Sequence, residues 1–223
     1  MGKAEIQQVV RQEIETGNYP FPQPLIESLI RVESSWKPGI VNSKSGASGL
    51  MQLMPITLKD YNLHNWPKLT MEDLQGDSLT SIRAQIKTGL WALGTFWKGA
   101  YAYLQPKLGT VPIDELVKIA DLFYVAGPAA TKIKLNTLDT PTFDRVSSTY
   151  PNWNALPHPN KVWAFTVAEN PSWDLQAIDS WVRKGSQPIV AGFDGHLGGF
   201  ILGALALVFA WYFWGKKKAK SED

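Results

Sequence analysis

The chain has no cysteine, which removes disulfides and thiolate metal sites together and leaves the redox compartment undetermined. It also has little excess charge. The formal net charge is +2, and residues 216–223 alone hold four Lys against two acids, so the rest of the chain carries 18 basic and 18 acidic residues. A neutral body lacks the cationic surplus from which phosphate recognition is built, so nucleic acid is not expected as a partner. The three histidines, His64, His158 and His196, show no ligand spacing, and no metal or other cofactor is expected. Alternating β-branched stretches are scarce and no internal repeat is present, which predicts a mainly α fold. Residues 1–17 lack the apolar core and small-residue cleavage site of a signal peptide.

What is present is enough for a core. The chain has 223 residues, 44% of them hydrophobic, and ten Trp, whose flat faces suit sugar rings as well as packing. Ile6, Val9, Val10 and Ile14 recur at helical spacing in an N-terminal extension, residues 1–23. The proline-rich residues 18–24 read as a connector. Residues 24–184 read as one domain. Within it helices are predicted over 24–36, from Pro55 to about Tyr61, through Ile82, Ile86, Leu90, Leu93 and Trp97, and from about Pro112 to Gly127. Two more are expected from about Pro159 to Ala168 and from Ser172 to Arg183, the last capped by Ser172 with Leu175, Ile178 and Val182 on its apolar side. The Thr, Asn and Pro-rich residues 131–158 carry no clear periodicity.

After a linker at 185–196 comes an uncharged run of 18 residues, 197–214. As a helix it spans about 27 Å against a hydrocarbon core of about 30 Å. Trp211, Tyr212 and Trp214 close it, and Lys216, Lys217 and Lys218 open the basic tail, 215–223. This pattern predicts a single C-terminal transmembrane helix and hence a lipid membrane as partner. Gly195, Gly199 and Gly203 are spaced by four, which would let two such helices approach and form a homo-oligomer.

The chemistry is concentrated near one carboxyl. On a helix over 24–36, Leu25, Ile26, Leu29 and Ile30 form an apolar stripe, and Glu33 falls in its middle. Such a carboxyl pairs with a buried cation or has its pKa raised, and the second outcome makes a general acid. Gln52 is polar inside the apolar run Leu50-Met51-Gln52-Leu53-Met54 and must find partners in any fold. Asp60, Glu72, Asp73 and Asp77 could complete a hydrolytic pair, but read as cap and surface residues.

Three segments together resemble a known family. Glu33-Ser34-Ser35-Trp36, then Ser43-Lys44-Ser45-Gly46-Ala47-Ser48-Gly49-Leu50-Met51-Gln52-Leu53-Met54-Pro55, then Phe123-Tyr124-Val125-Ala126-Gly127-Pro128 are similar to the motifs of the soluble lytic transglycosylase domain. The stretch from Gln85 to Leu93 follows the same pattern. The resemblance covers about residues 24–168 and implies a lysozyme-like fold that cleaves peptidoglycan glycan strands. It also implies Glu33 as the catalytic acid. Ser43, Met51, Gln52 and Tyr124 would line the substrate site, with Trp163 as the aromatic of a late helix. Val125 stands where the family usually has Asn, and Ala129 where it usually has Gly.

In this family one carboxyl first protonates the glycosidic oxygen and then takes a proton from the C6 hydroxyl of N-acetylmuramic acid, giving a 1,6-anhydro end without water. Ordinary glycosidases need a second carboxyl, but an intramolecular hydroxyl has a high effective concentration. Two rival readings stand beside this one: a goose-type lysozyme-like hydrolase of the bacterial envelope, and a noncatalytic glycan-binding membrane tether. The basic tail favours the cytoplasm, which leaves the catalytic domain outside with nothing N-terminal to export it. That conflict leads to the expectation of a single-pass protein of a virion membrane that opens the host wall during phage genome delivery. The bacterial inner membrane is the other expected location.

Overall fold

The computed structural model describes residues 1–184. The predicted linker 185–196, the membrane helix 197–214, the basic tail and the Gly195, Gly199, Gly203 contact lie outside the described residues. Among the described residues no helix is long and apolar enough to cross a membrane.

The described chain is helical, as its periodicities predict. The elements are α1 (Lys3–Thr16), α2 (Gln23–Ser34), α3 (Pro55–His64), α4 (Leu79–Leu108), α5 (Ile113–Ala126), α6 (Pro128–Leu135), α7 (Phe143–Thr149), α8 (Pro157–Ala168) and α9 (Leu175–Lys184), with a 3-10 turn at Glu72–Leu74. Among the described residues extended pairing is limited to the isolated bridges Val41 to Ser48 and Ser48 to Leu53. The 30-residue α4 is the axis. Its stripe of Ile82, Ile86, Leu90, Leu93 and Trp97 is buried, and α1, α3, α5 and α9 pack around it. On the far side α2 and α5 both pack against α8.

Three expectations need correction. The N-terminal segment is no appendage, because Ile6, Val9 and Val10 are buried in the same core as α2 and α4. A boundary at residue 24 therefore cuts through one core. The last helix is capped by Asp174, whose Oδ1 accepts from Ala177 N at 2.8 Å, and not by Ser172. Leu175 on that helix is exposed, and Ile178 and Val182 make the buried side. The stretch 131–158 also holds structure that its composition hides. The Glu115 carboxylate, itself buried, accepts from Phe143 N at 2.6 Å and the Thr142 hydroxyl accepts from Arg145 N at 3.4 Å, so α7 is capped largely from a distant helix.

The glycines of the second motif are explained by contact. Gly49 has φ +77, and a Cβ there would sit 2.6 Å from the Leu74 carbonyl and 2.7 Å from Gln85 Oε1. Gln85, fully buried on α4, uses that oxygen to accept from Leu50 N at 2.8 Å and donates Nε2 to the Gly76 carbonyl at 2.8 Å. Gly89, one turn on, is the surface against which Met51 Sδ packs, 2.1 Å from where a Cβ would stand. The turn that carries Met51 and Gln52 is thereby fixed to the central helix. Gly49→Ala should combine left-handed strain with overlap and cost about 2 kcal/mol or more of stability in a urea titration; an unchanged midpoint would contradict this packing.

Candidate active site

Glu33 lies in the last turn of α2, behind an unusual helix end. Ser35 (φ 52) and Trp36 (φ 67) are both left-handed without being glycine, an arrangement costing about 1 kcal/mol or more per residue. Ser35 N still donates to the Arg31 carbonyl at 3.2 Å, closing the turn. Arg31 stacks its guanidinium 3.8 Å from the Phe165 ring centre, tying α2 to α8. The Ser35 bond and the Arg31 stack hold the end of α2 in this strained shape beside the acid.

The surroundings of Glu33 are not hydrocarbon alone. Its Oε1 lies 3.1 Å from His158 Nε2, and the other ring nitrogen, Nδ1, lies 2.7 Å from Asp121 Oδ2. The side chains are 14% exposed for Glu33, 18% for His158 and 4% for Asp121. The acid and the imidazole thus sit at the rim and Asp121 lies behind them. The Nδ1 contact is a hydrogen bond. Nε2 is closed to solvent, and Glu33 Oε1 is the polar atom it faces at 3.1 Å. The structure thus sets a histidine beside the carboxyl that falls in the apolar stripe of α2.

Burial opposes charge on His158, but the hydrogen bond that it donates to Asp121, the contact with Glu33 and the negative charge of both outweigh it and bring the imidazole up to about 10. Burial pushes the Asp121 carboxyl upward, as does the charge of Glu33, while the hydrogen bond and charge of His158 draw it back down. The 2.7 Å contact favours the ion pair, carboxylate and imidazolium, at neutral pH.

Tyr124, on α5 one turn beyond Asp121, donates its hydroxyl to the Met51 carbonyl. Burial raises its phenol well above 10, with Glu33 and Asp121 adding to the rise, so it works as a neutral donor. Its ring meets Phe96 edge-on at 5.8 Å.

The predicted substrate residues divide. Gln52 is half-buried and left-handed (φ 45), and its Nε2 donates to the Gly49 carbonyl at 3.0 Å and, more weakly, to the Ile40 carbonyl at 3.4 Å. Met51 is fully buried, so its side chain serves packing, and its carbonyl is what it offers to Tyr124. Ser43 is exposed on the turn after α2. Trp163 is half-buried in an aromatic cluster, 6.1 Å from the Trp173 ring, with Lys118 Nζ 5.8 Å from its own ring centre. Of the four acids weighed as a second carboxyl, Asp73 caps Thr70 N at 2.7 Å, Asp60 pairs with His64 at 3.7 Å, and Glu72 and Asp77 are exposed.

His158 and Asp121 were not singled out by the sequence. One signal was available: Val117, Asp121 and Tyr124 share a face of α5 at spacings of four and three, so Asp121 is an acid on a buried stripe as Glu33 is. Nothing along the chain announces that His158 stands opposite.

The N-terminal part of this arrangement is similar to a known family. Residues 12–100 match the Transglycosylase SLT domain family. Members of that family are lytic transglycosylases acting on peptidoglycan. The match includes Glu33, Ser43, Met51, Gln52 and Gln85, and ends before Asp121, Tyr124 and His158. No curated protein and no solved structure matches the chain.

The charged histidine makes stability depend on pH. Its value rises from 6.5 to about 10 in the fold, so its contribution is complete below pH 6.5 and is lost as pH climbs through about 10. Thermal melts should therefore show the protein losing stability across that window, with the loss reduced in His158→Gln. An equal slope in both proteins would contradict the assignment.

Proposed function

We propose that this chain is a peptidoglycan lytic transglycosylase that cleaves the β-1,4 bond between N-acetylmuramic acid and N-acetylglucosamine and leaves a 1,6-anhydro end. The reading is carried by the isolation of Glu33. It is the partly exposed acid of the site, while Asp121, the other carboxyl that touches His158, is 4% exposed and hydrogen-bonded to it. A hydrolase of the usual two-carboxyl type presents both groups to the sugar. Here a single carboxyl faces outward, which suits a reaction whose nucleophile is the substrate's own C6 hydroxyl. The family match over residues 12–100 supports the same substrate class.

Glu33 acts first as general acid on the glycosidic oxygen and then as base on the C6 hydroxyl. Ser43, Gln52 and Trp163 serve glycan contacts, and Tyr124 holds the Met51 carbonyl beside the acid. The apolar run 197–214 and the lysines after it support work at a membrane. We place the enzyme in a virion membrane that meets the host wall, with self-contact through Gly195, Gly199 and Gly203 as part of the same proposal. Recovery in purified particles supports this location, and recovery from membranes of uninfected cells places it in the bacterial envelope.

Digestion of purified sacculi followed by mass spectrometry tests the reaction. Anhydro ends are expected from the wild type, and Glu33→Gln should lose activity by at least ~10²-fold while remaining folded. Reducing ends would make the protein a hydrolase. Absence of cleavage by the folded wild type would make it a tether.

A further inference from the structure

The proposed reaction asks Glu33 to give a proton and then to take one, and the group it touches is itself a proton carrier. Asp121 Oδ2, His158 and Glu33 Oε1 form a chain with contacts of 2.7 and 3.1 Å, contributed by α5, α8 and α2. Nε2, the atom turned to Glu33, is buried and lies within hydrogen-bond reach of Oε1.

We propose that His158, held by Asp121, stores the proton that Glu33 delivers to the glycosidic oxygen and receives the one that Glu33 later removes. This rests on the reading of Glu33 as the acid. His158 touches no sugar in this scheme and is a positioning residue that acts through Glu33.

The proton count explains why storage is needed. Carboxylate, imidazolium, carboxylate and carboxylate, imidazole, carboxylic acid hold the same number of protons and differ only in where one of them rests. The Asp121 bond favours the first form, and the imidazole is held up to about 10 by its two carboxyl partners against the opposing effect of burial. In the first step the Nε2 proton passes to Glu33 while Glu33 protonates the glycosidic oxygen. The bond from C1 to that oxygen breaks, and its electron pair leaves with the oxygen. In the second step the C6 oxygen bonds to C1, its proton goes to Glu33, and Nε2 is reprotonated. No water and no net proton are consumed. The ionisable groups facing the imidazole are Glu33 from α2 and Asp121 from α5, and Tyr124, also on α5, stays a neutral phenol.

The test is the pH dependence of kcat/KM on purified sacculi for the intact protein, His158→Gln and Asp121→Asn, paired with ¹⁵N NMR of the His158 ring. The wild type should keep its activity well above pH 6.5. In His158→Gln the alkaline limb should retreat toward acid pH by roughly 2 units or more, with activity partly kept at low pH. Asp121→Asn, which leaves the ring in place, should move the limb in the same direction by less and serves where the glutamine variant does not fold. The ring should carry protons on both nitrogens well above 6.5. A uniform loss of activity with the limb unmoved, or a neutral ring above 6.5 in a protein that cleaves, would overturn the relay alone. A folded wild type that cleaves nothing would overturn the proposed function and the relay with it.

Discussion

A histidine wedged between two carboxyl groups on separate helices is the interaction on which the site depends. His158 reaches Asp121 at 2.7 Å and Glu33 at 3.1 Å, and thereby fixes where α2, α5 and α8 stand relative to one another. The three helices also pack through apolar side chains, but that packing is compatible with small rotations. A charge pair in a dry setting is far less tolerant. The same side chain touches the candidate acid, so architecture and the proposed reaction meet in one residue.

A second support comes from the central helix. Gln85 and Gly89 on α4 hold the turn at residues 49–52 through the Leu50 amide and the Met51 side chain. Tyr124 then donates to the Met51 carbonyl, linking that turn to α5 and so to Asp121. A glutamine, two glycines and a tyrosine therefore connect α4 to the acid without any of them having to touch a sugar. The backbone strain at Ser35, Trp36 and Gln52 falls on the two segments that this scaffold clamps, where surrounding structure can sustain it.

Much of this was legible from residue order, and the divide is physical. Period-3.6 patterns placed α4 and α5 because their buried faces are continuous. The carboxyl in the stripe of α2 marked Glu33 because an acid among Leu25, Ile26, Leu29 and Ile30 has few fates. By the same logic Asp121 could have been found, but Glu115 shows why the signal is ambiguous: it too is a buried acid on α5, and it accepts from the Phe143 amide to start α7. Identical local patterns thus served different ends, and only the position of α8 separates them. His158 carried no local signal, since its role is made by helices that are distant in sequence. The short α6 and α7 were hidden because contacts from elsewhere, and not their own periodicity, hold them. The reading of residues 1–23 as an extension failed because a charged amphipathic helix looks alike whether its stripe meets solvent or a core.

The central claim is that Asp121 and His158 act as one charged unit in the fold. A double-mutant cycle on stability with Asp121→Asn, His158→Gln and the double variant measures it directly, in urea at neutral pH. The pairing predicts that the double variant loses less than the two single losses added together, with a coupling of about 1 kcal/mol or more. Additive losses, within ~0.3–0.5 kcal/mol, would contradict the account.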